Sequence, residues 1–473
     1  MSQHEDLTGA ETEGVAALEM PDEYYSHVED DNPGAALGDN QQSFSDDELA
    51  LAFSDRHDGQ ALFVSAWNDW LIWDCCRWRA DDTLLHYDLV RKICRTAAST
   101  SRLPGEKKRL RSAQTIAAVE RIAKTDPRHA RSPDAFDADP WALNTPGGVV
   151  NLQTGRRRAH RTDDMHTKVT GATPGGDCPR WLHFLNEITR GDSDLIGYLQ
   201  RWAGYSLTGI IREEAFLFLC GPGGNGKSVL LNTLAKVMGD YAKTASSDVF
   251  TVTRNEQHPT HVANLRGARM VLVSEVEEGK PWAESRIKSL TGGDKISARV
   301  MRGDLFEFAP QFKLWIAGNH RPALKNPDDA MKRRLHMVPL TYVPTKPDLR
   351  LAEALAAELP GILGWAIEGC LDWQRDGLGM PTVVRDASAE YFAEQDAIAT
   401  WMGERCEKVE HMTVASSALF RDFQAFTKAR GDDPRGQTWF SEGLQRHFAK
   451  KRGGGGMVFV GLRLLPADPG NWA

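Results

Sequence analysis

The eight residues Gly221-Pro222-Gly223-Gly224-Asn225-Gly226-Lys227-Ser228 constrain this chain more than any other stretch, because of what flanks them. Before them stands an apolar run, Phe216-Leu217-Phe218-Leu219-Cys220, that reads as a buried strand. After them, apolar residues at 230, 231, 234, 237 and 238 keep one face of a helix on a core. A glycine-rich turn in that setting aims backbone N–H groups into one concavity, and the helix N-terminus adds a favourable field for phosphate. G-x-x-x-x-G-K-S between strand and helix is the P-loop pattern, so the fold class predicted is α/β, a parallel sheet flanked by helices. Gly221 to Ser228 together with Val229 form the expected ATP cradle; Lys227 reaches the β- and γ-phosphates, and the Ser228 hydroxyl ligates Mg²⁺.

A triphosphate site also requires an acid that orients the metal. Arg269 to Ser274 reads as an apolar strand on a neighbouring position of the sheet, running into Glu275, 48 residues after Lys227, and then Glu277. At the carboxyl end of a parallel sheet these carboxylates face the nucleotide crevice. Glu275 is the first choice for holding Mg²⁺ through water; which of the two acids polarises the attacking water stays open. Phe312 to Gly318 is another buried strand, tipped by Asn319, an amide able to position water or sense the γ-phosphate. Fifteen residues on stand Arg333 and Arg334, of which Arg334 is preferred as the guanidinium that neutralises transferring phosphoryl oxygens. Such fingers often come from a neighbouring subunit, which would make the active form an oligomer.

Between the acids and Asn319, residues 287 to 308 read as a helix ending at Gly292-Gly293, then two strands joined at Arg302-Gly303-Asp304. Lys288, Lys295, Arg299 and Arg302 are the candidates for gripping a DNA backbone without reading bases.

The net charge of −8 seems unsuited to a nucleic-acid partner until it is divided along the chain. Residues 1–50 hold 14 Asp and Glu and no Lys or Arg, which leaves 57 basic against 51 acidic residues elsewhere. That acidic opening has too few large apolar residues to offset its ordering entropy and is expected to be disordered to Ser45. From Asp46 the pattern turns globular, with a helix (DDELALAFSDRH), a hairpin (FVSAWNDWLIWDCCRWRAD) and helices to about Lys124. Trp67, Trp70, Trp73 and Trp78 could stack single-stranded bases, but core packing is favoured. Seven scattered cysteines with no CxxC pair fit free thiols in a reducing compartment. No apolar run approaches the roughly 20 residues that span a bilayer, and the N-terminus lacks signal-peptide regions, so a cytoplasmic location in a bacterial host, without a membrane partner, is expected.

The strand-end signals between Gly221 and Arg334, with the hairpin before the asparagine, resemble superfamily 3 helicases of the AAA+ class. More closely, HPT, LRGARMVLVSEVEEG, KSLTGGDKISAR, FEFAPQFKLWIAGNHRP and DDAMKRRLHMVPL resemble the phage/plasmid primase-helicase family related to the poxvirus-type nucleoside triphosphatase. The likeness extends upstream through DDELALAFSDRH, WLIWDCCRW, DPWALNTPGG and GYSLTG, covering roughly residues 46–405. It implies an ATP-hydrolysing replicative DNA helicase, a homohexameric ring translocating on single-stranded or forked DNA, usually 3′ to 5′, with host or phage replication proteins as further partners. It assigns Gly226, Lys227 and Ser228 to nucleotide and Mg²⁺, Glu275 to the acidic strand, Asn319 to sensing and Arg334 to the finger. Cys75 and Cys76 stand where a turn glycine is usual, Asn151 where an Asp is common, and His261 follows HPT where an acid is common.

The implied organisation is an acidic tail (1–45), an α+β helicase-associated domain (46–190), the AAA+ P-loop motor (191–345), a helical lid or linker (346–405) and a small C-terminal domain resembling a winged helix (406–473). In that last unit Arg446, Lys450, Lys451 and Arg452 are candidate DNA contacts. Many relatives carry a primase domain; the D-x-D at Asp137 and Asp139 is the one local hint, and with no large domain before it priming is not expected. The competing readings are an ATP-dependent replicon-binding or loading protein without unwinding and a bifunctional primase-helicase. A GTPase is disfavoured because no N-K-x-D base reader follows the motor strands.

Overall fold

The computed structural model describes residues 44–252, 260–274, 281–299, 305–322, 324, 328–394, 397–430, 436–445, 447–454 and 456–466. The expectation of disorder over 1–45 therefore falls almost entirely outside the described residues. Two compact units emerge: one runs to Phe136 and includes Arg161–Thr167, the other comprises Asp137–His160 and everything from Lys168.

The first unit opens with α1 (Asp46–His57), started by a reciprocal cap in which Ser45 Oγ accepts from Glu48 N and the Glu48 carboxylate accepts from Ser45 N. Then come β1 (Ala61–Val64), β2 (Asp69–Trp73) and β3 (Trp78–Ala80), an antiparallel meander. The expected hairpin thus has a third strand. The Asp74 carboxylate accepts from the Cys76 and Arg77 backbone N–H groups and folds the Cys75-Cys76 turn, with Cys75 at φ 70°. Helices α2 (Leu85–Thr100), α3 (Pro104–Leu110) and α4 (Ala113–Ala123) complete the unit. Trp70 and Trp78 are buried, Trp70 Nε1 donating to Glu120 at 2.8 Å and Trp78 Nε1 to the Thr162 carbonyl at 3.0 Å. Trp67 and Trp73 pack half-buried on Phe136 and Trp78. Two of the four indoles are thus core, as favoured, and two pack at its margin, and the cysteines of the whole chain are free thiols.

The second unit starts with a small sheet, β4 (Ala142–Thr145), β5 (Gly148–Asn151) and β6 (Arg157–Arg158), followed by α5 (Pro179–Ile188) and α6 (Ser193–Leu207). Next come β7 (Phe216–Cys220), α7 (Lys227–Met238), β8 (Ala242–Thr244), α8 (Thr260–Ala263), β9 (Met270–Ser274) and α9 (Glu284–Thr291). An antiparallel pair, β10 (Ile296–Arg299) and β11 (Leu305–Phe308), leads to β12 (Lys313–Gly318), α10 (Asp329–Arg334) and β13 (Leu335–Pro339). Strands β13-β7-β12-β9-β8 form one wholly parallel sheet. Its strands are near-continuous apolar runs because both faces are covered. Leu217, Leu219 and Trp315 pack on one side with Trp202 and Leu230; Phe216, Phe218, Val271 and Ile316 pack on the other around Trp282.

Helices α11 (Leu351–Ala357), α12 (Leu359–Asp376), α13 (Thr382–Glu394) and α14 (Ala397–Arg405) follow. Trp181, Phe184, Leu185 and Ile188 of α5, and Leu355, Ile362 and Trp373 of α11 and α12, join the same core cluster as β7. The boundary expected at residue 190 and the separate linker expected from 346 both fall inside this unit, because apolar faces that look self-sufficient in the sequence are buried against the sheet layer. The chain ends in β14 (Cys406–Ala415), α15 (Ser416–Ala429), α16 (Gln437–Gln445), β15 (Ala449–Gly453) and β16 (Gly456–Leu464), an antiparallel β14-β16-β15 sheet backed by helices over Trp401, Phe423, Phe440 and Phe459. No single helix among the described residues is long and apolar enough to cross a membrane.

Two buried imidazoles make the fold acid-sensitive. His57 packs on Phe53, and His336 in β13 lies 2.5 Å from the Tyr198 hydroxyl through Nδ1. Burial pushes both down to about 4. The unfolded chain protonates these groups near 6.5, so between about pH 6.5 and 4 it binds more protons than the folded state, and stability falls with acidification through that window. Each imidazole contributes up to about 3 kcal/mol. Urea unfolding midpoints measured from pH 7 to about 4.5 should fall accordingly, and His57→Gln should flatten the loss; a pH-independent midpoint contradicts the assignment.

Candidate functional site

Strand β7 ends at Cys220, and the chain then turns at Gly221 with φ 143°, where a Cβ would meet the Leu340 carbonyl at 2.0 Å. At Gly226, φ is 87° and a Cβ would stand 2.8 Å from Ile188 Cγ2. Only glycine fits both positions without displacing backbone or wall. Asn225 Nδ2 donates to the Leu340 carbonyl and ties the loop to the chain just past β13. Helix α7 starts directly from the loop with no side chain capping its first turn.

Lys227 is the electrostatic centre of this loop. It is 6% exposed, and Nζ donates to the Gly221 carbonyl (2.8 Å), the Pro222 carbonyl (2.9 Å) and Asn225 Oδ1 (2.8 Å). All three acceptors are neutral, and Lys227 forms no ion pair with a described carboxylate. Burial lowers its pKa, which is the expected response of a cation held without a counter-charge.

Gly223 to Val229 line a cleft of about 540 Å³ at the carboxyl edge of the parallel sheet, joined there by Asn319 just past β12 and Thr244 at the end of β8. Ser228, in the first turn of α7, is exposed to it. The opposite wall comes from α5 and the segment after β13: Arg180, Phe184, Ile188, Tyr342, Lys346 and Leu351. Those wall residues escaped the sequence reading. The apolar period of α5 shows in the sequence only as a core face, and nothing in it distinguishes a residue lining a cleft from one filling a core.

The sheet order corrects one expectation. Strand β9, which leads to the predicted acids, does not neighbour the loop strand; β12 lies between them, with Ala317 in register with Ser274 and Gly318 with Cys220. The strand carrying Asn319 is thus adjacent to the loop strand, and β9 is two strand spacings away, about 10 Å. Glu275 and Glu277 lie outside the described residues, as do Arg302 and Arg446.

Arg334 does not line this cleft. It closes α10 at the amino edge of the sheet, where Leu335 pairs with Phe216, so the length of a five-residue strand, about 16 Å, separates it from the level of the loop. Its Nη2 donates to Glu214 Oε2 at 2.6 Å and Nη1 to the Ala330 carbonyl at 3.2 Å; Arg333 is exposed.

The basic hairpin is brought together only in part. Lys295, just before β10, and Arg299, at its end, are exposed, but Lys288 sits on α9 and bonds Asp328, the N-cap of α10. It belongs to a helix-to-helix contact, not to a free basic hairpin. Asp137 is ion-paired to Lys168 at 2.7 Å and Asp139 accepts from the Trp141 N–H at 2.8 Å. Among the described residues no group of three or more His, Cys, Asp or Glu could hold a metal ion.

Comparison with known proteins adds the lineage. A family model described as D5 N terminal like matches residues 50–190, and a family of unknown function (DUF5906) matches residues 219–334. "Putative helicase L207/L206" of Acanthamoeba polyphaga mimivirus is 26% identical over 321 residues, covering 62% of this chain and 33% of that protein. "Putative helicase 022R" of Frog virus 3 is 26% identical over 270 residues, covering 51% and 27%. The chain is thus similar to viral proteins named as helicases and carries a region like the D5 N-terminal family.

The chain spans about a third or less of the length of the curated relatives it matches. The apo structure of the NrS-1 C terminal region superposes with a TM-score of 0.48 at 11% identity, covering 89% of this chain and 99% of that one. The match to the family of unknown function over 219–334 begins in β7 and ends on Arg334, so it contains the loop, Asn319 and the hairpin strands.

Proposed function

We propose that this chain is an ATP-hydrolysing P-loop motor of the AAA+ class, superfamily 3, that moves on single-stranded DNA during replication and works as a ring of identical copies. The observation that carries this reading is Lys227: a buried cation whose three acceptors are neutral, at the mouth of a cleft on the carboxyl edge of a parallel sheet. Such a cation has no negative partner among the described residues, and a phosphate chain supplies one. The cleft volume falls inside the range of roughly 300–1,000 Å³ usual for small-molecule sites.

In this reading the loop N–H groups and Lys227 bind the β- and γ-phosphates, Ser228 supplies a hydroxyl to Mg²⁺, and Glu275 or Glu277 supplies the carboxylate. Bound ATP brings the transferable phosphoryl group, and Mg²⁺ brings neutralising charge. Asn319 orients water from the strand beside the loop. Arg334, a strand's length from its own cleft, acts on the cleft of a neighbouring copy, which is why a ring is required. Lys295 and Arg299 follow the DNA backbone, and the C-terminal β-α-α-β-β unit serves as a winged-helix-like accessory domain. Two relatives bearing the name helicase support the DNA role.

A forked-DNA strand-displacement assay tests this directly. The expected result is ATP-dependent unwinding with turnover stimulated by single-stranded DNA. Stimulated turnover without unwinding would instead establish a loading protein, and a preference for GTP would count against the motor assignment.

A further inference from the structure

The short helix α10, six residues long, ends on Arg334, and so few residues do not hold a helix by themselves. It is fastened at both ends. At its start the Asp328 carboxylate caps the helix by accepting from Met331 N at 2.9 Å, and Lys288 Nζ of α9 donates to the same carboxylate. At its finish Arg334 Nη2 donates to Glu214, while Nε is buried with no partner among the described residues. The guanidinium also lies against the end of α9, since a Cβ added at Gly292 would stand 3.9 Å from Nη2.

Glu214 is itself held in an uncommon backbone state, φ 48°, which a non-glycine residue keeps only when its surroundings over-determine it. Here they do: the backbone N–H groups of Arg212 and Glu213 donate to the Tyr205 hydroxyl at 3.0 and 3.3 Å, and Glu213 Oε1 accepts from Trp373 Nε1 at 2.8 Å. The carboxylate facing Arg334 is therefore presented from a fixed base, half-exposed at the amino edge of β7.

We propose that Glu214 and the Lys288–Asp328 pair are positioning residues for Arg334, and that Lys288 transmits the state of the β10–β11 hairpin to that arginine instead of contacting DNA. The inference rests on the reading of Arg334 as the residue that completes a neighbouring cleft. Its geometry is on one edge of the sheet: four residues, ending in the exposed Lys295, join α9 to β10, which carries the exposed Arg299, so a displacement of the hairpin reaches α10 through α9 and its salt bridge. A guanidinium misplaced by about 1 Å can lose roughly a hundredfold in rate, so small shifts at α9 suffice.

The test uses the full chain with ATP and oligo-dT. Glu214→Gln, Lys288→Met and Asp328→Asn are each expected to lower kcat at saturating oligo-dT by about tenfold or more, with nucleotide Kd and the salt slope of oligo-dT binding unchanged. Asp328→Asn retains the cap, since asparagine caps as well as aspartate, and so isolates the ion pair from helix folding. Combining it with Lys288→Met should add nothing further, and Glu214→Asp should recover part of the rate. If Lys288→Met flattens the salt slope and leaves kcat intact, Lys288 is a DNA contact and the proposal fails for it. If Glu214→Gln and Asp328→Asn turn over like wild type while Arg334→Ala is dead, the positioning role fails and the finger stands. If Arg334→Ala turns over normally, the finger reading itself falls and takes this inference with it.

Discussion

Lys227→Ala is expected to reduce nucleotide turnover by roughly a thousandfold or more, the scale on which removal of one preorganised charge donor acts. The amine is not a surface cation that water or a neighbour can replace. It is buried, it sits between two loop carbonyls and the Asn225 amide oxygen, and it has no acid partner among the described residues. A triphosphate entering the cleft meets a positive charge that is already desolvated, and Nζ reaches it by exchanging one of its three neutral loop acceptors for a phosphate oxygen. Removal of the side chain also leaves three acceptors without their shared donor, and the Gly221–Asn225 turn should loosen. Lys227→Met separates the two effects because it keeps most of the packing. Fluorescent-nucleotide titration and phosphate release on both variants give the measurement. Turnover within about tenfold of wild type in Lys227→Met would remove the foundation of the proposed function.

The residues legible in the sequence were those whose role is set by local pattern. The loop, its strand and its helix announce themselves because glycine spacing and two periodicities change within a few residues, and the structure places them as that pattern requires. Asn319 was legible for the same reason: an apolar strand ending in an amide, now found on the cleft wall. Where the reading failed, the deciding information was non-local. Strand order is not written in any one strand, so β12 came between the loop strand and β9 without a sequence signal. Lys288 resembled its basic neighbours until the fold brought Asp328, 40 residues away, onto it. The cleft wall from α5 and the segment after β13 shares the same difficulty, since its residues meet only in three dimensions.

Buried cations at the other edge of the sheet make the same point. Lys313 opens β12 and is buried, donating to the Thr208 carbonyl and hydroxyl and to the Gln311 carbonyl, with the Tyr205 ring 4.6 Å away. Arg269, next to β9, donates to the carbonyls of Leu207, Asp139 and Ala142. Both bind the amino edge of the sheet to the chain beneath it through neutral acceptors. In the sequence they are two charged residues before apolar runs, a pattern equally compatible with solvent-facing strand starts. The sheet therefore has desolvated cations at both edges, and the one at the carboxyl edge, Lys227, lines a cleft.

Arg334→Ala should bind nucleotide as the wild type does and lose turnover by about a thousandfold or more, as arginine fingers do when removed. The sharper test exploits where that arginine stands. It lies at the amino edge of the sheet and the loop at the carboxyl edge, about 16 Å apart along β13, so one chain cannot bring both to the same phosphoryl group without unravelling the strand. A Lys227→Ala copy has a dead cleft and a good arginine; an Arg334→Ala copy has a good cleft and no arginine. If the arginine serves the adjacent copy, mixing these two inactive proteins must regenerate activity wherever an intact cleft sits beside an intact arginine. For random assembly at equal amounts with independent sites, that is up to about a quarter of the wild-type rate. Affinity capture through a tag on one variant would establish that mixed assemblies have formed. Mixed assemblies as inactive as their parents would place the catalytic arginine elsewhere, with exposed Arg333 the next residue to replace.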